Sequence, residues 1–342
     1  MEGYIMLPLL ELREKIKNFY KQYDAYLVPA IKFIFAFIAF QAINKEIGYD
    51  VRFKSIPIVF ALSLLSAFTP SAIMVLLAAA IAILHVFFIS PILSIIVIMV
   101  LMILYLLFLR YTPNQGYVVL AVPVLFLLKM PYFIPILLGL ISTPVAMVPT
   151  SCGVIVYFLF QVIKTAVTTQ TGISVEDIMQ LYTTVVDNLI GNKQMIMTIA
   201  IFALIIMVTY SIRKMSFDYA FEISILAGGL TSILGFLISY LILNKSGQIL
   251  GMIVGTIIST GLVFIVHFFE LTLDYSRAEH ARFEDEVYYY YVKAVPKVTV
   301  TVSQVNVKHI NSSDVKSREF SEPDTDETEE YFNYDDDDYT NF

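Results

Sequence analysis

With 342 residues, 58% of them hydrophobic and 15% charged, and a mean hydropathy of +0.75, the chain carries more apolar side chain than a soluble monomer can bury. It reads as an integral membrane protein. The net charge of −7 is uneven: residues 271–342 hold 7 Lys/Arg and 17 Asp/Glu, leaving the rest slightly basic, which argues against a nucleic-acid binder.

The chain opens without a cleavable signal pattern, because Tyr4–Leu10 is short, lacks a basic lead and runs straight into charge. Leu9, Leu12, Ile16, Phe19 and Tyr23 step by three or four, with Arg13, Lys17 and Lys21 as a basic stripe. Residues 1–25 are therefore expected to form an amphipathic helix on the cytoplasmic face. The transmembrane domain is expected at 26–270, starting with a first span at Tyr26–Asn44 in which Lys32 snorkels to the interface.

Proline then punctuates two sets of apolar runs. The first is 56–69, 71–89 and 91–109; the second is 117–128, 131–148 and 151–168. Runs 56–69 and 117–128 cover only roughly 20 Å as helices, short for a crossing. Ile56-Pro57 before Phe68-Thr69-Pro70 is echoed by Val122-Pro123 before Phe133-Ile134-Pro135. An odd number of crossings per set makes the second copy inverted, a pattern secondary transporters use to build a midplane site.

Residues 172–192 place apolar side chains at 175, 178, 181, 185 and 189, which predicts an amphipathic helix on the extracytoplasmic face. Spans at 195–212, 219–243 and 249–270 follow, the last with Gly251-x-x-x-Gly255 for close packing within the bundle. The fold class expected is all-α: a polytopic membrane helix bundle of about 8–10 segments with proline-broken or re-entrant hairpins. Lys/Arg in the short loops favour both termini inside, in the cytoplasmic (inner or plasma) membrane.

Residues 271–287 read as an extension of the last helix. Beyond them Tyr288–Tyr291 and the alternation Val298, Val300, Val302 suggest a strand, and the Asp/Glu-rich remainder reads as disordered. The tail 271–342 is thus expected to be acidic, largely disordered and cytoplasmic. Tyr289, Tyr291, Val298, Val300 and Val302 are its partner-binding candidates, for an ATPase or assembly subunit docking by strand addition.

Chemistry is sparse. The lone Cys152 excludes an intramolecular disulfide and an all-cysteine metal site, and His85, His267, His280 and His309 lack ligand spacing. Neither a Walker A sequence nor a catalytic motif is written, so no enzyme activity, metal or cofactor is expected. Glu222 lies near Arg213 and Lys214 and reads as their ion-pair partner. Lys129, between two apolar arms, and the cluster Ser142, Thr143, Pro144, Thr150, Ser151 and Gly153 are the substrate-binding candidates. Hydroxyls beside freed carbonyls at broken helices can coordinate a small solute or ion.

The run of broken helices and the Glu286–Lys297 segment resemble uncharacterised bacterial membrane proteins labelled permeases, ABC-type permeases among them. That resemblance implies transport without naming a substrate. The competing expectation is a non-transporting membrane scaffold that recruits partners through its tail.

Overall fold

The computed structural model describes residues 12, 13, 15, 16, 18–169, 185–215, 219–270, 279–284 and 289–294. Its membrane body is all-α, as the composition requires. Among the described residues its helices include, in chain order, α1 (Asp24–Ile47), α2 (Ile56–Ala67), α3 (Ser71–Ile89), α4 (Pro91–Tyr111), α5 (Gly116–Leu127), α6 (Phe133–Ile141), α7 (Met147–Thr169), α8 (Lys193–Arg213), α9 (Ala220–Ile242) and α10 (Ile249–Glu270). Among the described residues, seven helices are long and apolar enough to cross a membrane. The three others, α2, α5 and α6, have 12, 12 and 9 residues and rise only roughly 18, 18 and 14 Å.

Local chemistry sets the breaks. Pro91 starts α4 where its missing N–H costs nothing, and Ser90 caps the helix by accepting from the Leu93 N–H at 3.3 Å. Asn192 does the same for α8, accepting from the Met195 N–H at 3.0 Å. Helix α5 stops because Lys129 turns left-handed (φ 59°) and the Met130 N–H returns to the Leu125 carbonyl at 2.9 Å. Pro131 then blocks continuation. Asn244 (φ 52°) closes α9 in the same way, with Lys245 N–H on the Tyr240 carbonyl.

Side-chain ties fix the direction of each helix. At the end of the bundle where α1 starts, Ser71 Oγ donates to the Pro113 carbonyl, Gln115 Nε2 donates to Ser142 Oγ, and Arg213 reaches the Leu140 and Ser142 carbonyls. Glu222 meets His267 there as well. At the opposite end His85 bonds Asn44, Lys164 bonds Glu46 and Lys245 bonds Gln194. Successive helices therefore alternate in direction, and α1 begins at the end of the bundle where α10 finishes.

The pair α5–α6 is a short hairpin whose two ends lie at the same end of the bundle. Its base is closed by Gln115 and Ser142, and its tip, Lys129–Tyr132, packs at Gly255, about 9 Å along α10 from that helix's start. The hairpin sits as a wedge: α5 packs on α1, α3 and α7, while α6 packs on α8, α9 and α10. Glycines permit this closeness. A Cβ on Gly153 of α7 would lie 2.7 Å from Val122 Cβ of α5, and one on Gly139 of α6 would lie 2.6 Å from Thr209 Cβ of α8.

The two proline-punctuated sets diverge in their middle members. The first contributes the 19-residue α3; in the second, the run 131–148 is cut by a helix break at Ser142–Thr143 and yields only the 9-residue α6. Residues 185–190 are helical with Val185 and Leu189 buried, two positions of the expected amphipathic stripe; 170–184 lie outside the described residues. The expectation that 271–287 prolongs α10 fails at its end. Residues Glu279–Glu284 (β1) instead pair antiparallel with Tyr289–Ala294 (β2), Arg282 opposite Tyr291 and Glu284 opposite Tyr289. The aromatic run favours a strand, and pairing gives its backbone groups partners. Val298, Val300 and Val302 lie outside the described residues.

Candidate functional site

The residues singled out from sequence do not converge. Lys129 is exposed at the hairpin tip, whereas Ser142 and Thr143 lie at its base, separated by the whole of α6, roughly 14 Å of rise. Ser142 is used structurally, as acceptor for Gln115 and, through its carbonyl, for Arg213. Pro144 opens a short helical turn leading into α7. Thr150 is buried and donates to the Ala146 carbonyl at 2.7 Å, a repair of the helix start rather than a free ligand group. Gly153 is a contact point between helices, and Ser151, one turn into α7, is half-buried. Glu222 pairs with His267 at 3.4 Å, and not with Arg213 or Lys214; Arg213 is drawn to the orphan carbonyls ending α6.

The polar groups that do converge lie at the other end, where α1, α3 and α7 finish. His85 Nδ1 accepts from the Asp50 N–H at 3.2 Å, which leaves its proton on Nε2 to donate to Asn44 Oδ1 at 2.7 Å. Asn44 Nδ2 donates in turn to the Phe53 carbonyl at 3.4 Å, and the Phe53 ring stands edge-on to His85. These bonds pull the 48–55 loop down into the bundle, so that Asp50 is buried beside an exposed Arg52. Arg52 grips both carboxylate oxygens, Nε to Oδ1 at 3.1 Å and Nη2 to Oδ2 at 2.9 Å, and holds the Asp50 carboxyl below the usual range. Burial pushes the neighbouring Tyr49 phenol up, and the Glu46 carboxylate adds to this.

Two spaces adjoin this network. Because the α5–α6 hairpin stops short, a recess of about 510 Å³ opens between α1, the loop and the tip, lined by Gln41, Asn44, Lys45, Lys54, Leu127 and Leu128 among others. Deeper, α1, α3, α4, α5 and α7 enclose a narrow cavity of about 50 Å³. The two share Ala42, Val124 and Leu127 as walls. Alanines 39, 42, 78, 79 and 82 leave the slot open, and Glu46 and Tyr157 are the only lining residues with a polar side chain. Glu46 is paired from outside with the Lys164 ammonium at 3.3 Å and accepts a hydrogen bond from Gln161 Nε2 at 3.4 Å.

Sequence reading missed this place because its polar members are spread over positions 44–54, 85 and 161–164, all inside or beside apolar runs. The one available signal was the charged loop between the first two runs, which joins the bundle instead of looping away. No group of three or more His, Cys, Asp or Glu able to hold a metal is present among the described residues. Comparison with known protein families, curated proteins and solved structures finds no match to this chain.

Proposed function

We propose that this membrane protein is a permease, with the re-entrant hairpin α5–α6 as the element that controls access to the cavity beside it. The observation that carries this reading is the meeting of an open recess and an internal slot at Ala42, Val124 and Leu127, along the arm of a hairpin that stops short of the face. A bundle needed only as an anchor gains nothing from a short hairpin wedged between two groups of helices. Such half-crossing elements are tolerated in membranes where they are buried in protein or line a cavity. Both ends of the membrane body are cytoplasmic in this reading, since the segments on that side carry Arg13, Lys15, Lys17, Lys21, Arg110, Arg213, Lys214, Arg277 and Arg282, against Lys45, Arg52, Lys54, Lys193 and Lys245 on the other.

The test is a flux comparison. Cells lacking and overproducing the chain are screened for uptake and release of labelled solutes and lipids. Leu127→Trp, which fills the junction of recess and slot, is expected to silence whichever flux depends on the protein. Unchanged fluxes across all three strains would remove the permease reading. A second reading, an anchor that recruits a cytoplasmic partner through 271–342, is favoured by one observation. The β1–β2 hairpin has two strands, so among the described residues each has an unpaired outer edge open to strand addition. Salt-sensitive capture of one partner by the full chain, lost on replacing Tyr289 and Tyr291, would support it.

A further inference from the structure

The recess and the slot have opposite chemistry. Lys45 and Lys54 are exposed on the recess, and among the described residues neither has an ion-pair partner. The slot below offers almost only aliphatic and aromatic surface, and its one carboxylate, Glu46, is already engaged by Lys164. The rim includes Ile38 and Leu128, 45% and 61% exposed, so the opening faces the hydrocarbon of the bilayer as well as the aqueous face. A polar solute entering the slot would lose its hydrogen bonds to water and find few replacements. An acyl chain loses nothing by leaving the bilayer for such a slot, and an anion gains from two unpaired ammonium groups at headgroup depth.

We propose that these joined spaces bind an anionic lipid of the surrounding bilayer, its phosphate between Lys45 and Lys54 and a short stretch of one acyl chain in the slot between α1, α3 and α5. Movement of that lipid rests on the permease reading; its binding does not. The narrowness of the slot selects a chain rather than a ring system, and the alanines of α1 and α3 set its width. Lys54 belongs to the loop that His85 and Asn44 hold down, so the polar network positions half of the headgroup site.

The experiment uses the full-length protein purified in detergent and phosphatidic acid with a diazirine in its acyl chain. Diacylglycerol with the same photoreactive chain and inorganic phosphate as competitor are the comparison arms. Crosslinks are expected on peptides covering 39–46, 75–82 and 119–127. Lys45→Gln with Lys54→Gln should lower phosphatidic acid capture about tenfold and leave diacylglycerol capture unchanged. Ala78→Leu with Ala82→Leu should remove the crosslinks of both lipids, and thermal unfolding of each variant checks that it is folded. Crosslinks confined to outward faces, or equal capture of the two lipids by the unmodified protein, would overturn the proposal. Displacement by phosphate alone would do so too, by assigning the site to a soluble anion. Solute flux without site-specific crosslinks defeats only the lipid inference, whereas crosslinks without any flux leave it standing and defeat the permease reading.

Discussion

Arg13 stands over the ring of Phe268, its guanidinium carbon 5.8 Å from the ring centroid, and so joins the segment before α1 to the last turn of α10. A cation over an aromatic face is worth roughly 0.5–1 kcal/mol at an exposed site and more when desolvated. The contact matters more for what it closes: the alternating helices return the chain to the face from which it set out.

That parity gives the first prediction. On a Cys152→Ser background, cysteines at the exposed positions Val51 and Asp187 should react with an impermeant thiol reagent applied to intact cells. A cysteine at exposed Met215 should react only after permeabilisation. Val51 and Asp187 labelling from different sides would break the alternation of α1 to α10; both labelling only after lysis would invert the protein.

Glycine contacts supply the second. A methyl group at Gly153 or Gly139 would meet side-chain atoms of the facing helix at 2.7 Å or 2.6 Å, too close without a shift. Gly153→Ala and Gly139→Ala should each cost about 1–3 kcal/mol, the usual range for overpacking. Gly251→Ala and Gly261→Ala, with nothing within 4 Å of the added carbon, should be neutral or stabilising by up to about 1 kcal/mol, since both lie inside helix α10. Melting temperatures in detergent decide it, and indistinguishable values for the four variants would contradict the packing of α5 on α7 and α6 on α8.

The third prediction concerns acid. The Arg52 hydrogen bonds lower the Asp50 carboxyl below its ordinary value of 3.8, so the folded state binds this proton less readily than the unfolded chain. The stability this supplies is present above pH 3.8 and is lost as pH falls through the lower folded value. Arg52→Gln should reduce stability at neutral pH and flatten its decline in the acid range. Parallel stability curves for the two proteins between pH 3 and 7 would show that the pair does not anchor the loop.

Much of the architecture was legible because apolar runs and prolines are local signals. Pro91, Pro131 and the 12-residue run after Gly116 mark real boundaries, and Gly255 does serve packing inside the bundle. The site was not legible for the same reason. The pairing of Asn44 with His85, and of Glu46 with Lys164, spans 41 and 118 positions and follows from helix direction, which no local pattern records. Lys129 is a substrate candidate by sequence because it lies between two apolar arms; a left-handed turn at its own position puts it, exposed, at the hairpin tip and away from the 142–153 hydroxyls. The hydroxyls at Ser142 and Thr150 looked like ligands and instead satisfy Gln115 and the Ala146 carbonyl.

The last prediction tests the residue at the centre of the network. His85 is fully buried, and both ring nitrogens are committed: Nδ1 accepts from the Asp50 N–H and Nε2 donates to Asn44. A backbone N–H has nothing else to offer, so it forces the acceptor to be Nδ1 and the imidazole to be neutral with its proton on Nε2. Truncation in His85→Ala removes both bonds at once and leaves a buried N–H and a buried amide oxygen without partners. Each orphan costs about 1–3 kcal/mol, and the lost ring volume adds to it. The variant should therefore lose about 2–5 kcal/mol and expose the 48–55 loop to proteolysis at Arg52 or Lys54. His267 is the internal control: among the described residues its Nδ1 has no partner and its Nε2 lies 3.4 Å from a half-exposed Glu222, so His267→Ala should cost clearly less. Nitrogen chemical shifts of ring-labelled histidine give an independent reading of the tautomer at pH 7. An Nδ1-protonated His85, or a His85→Ala variant as stable and as protease-resistant as the parent, would mean that the loop is held down by something other than this ring.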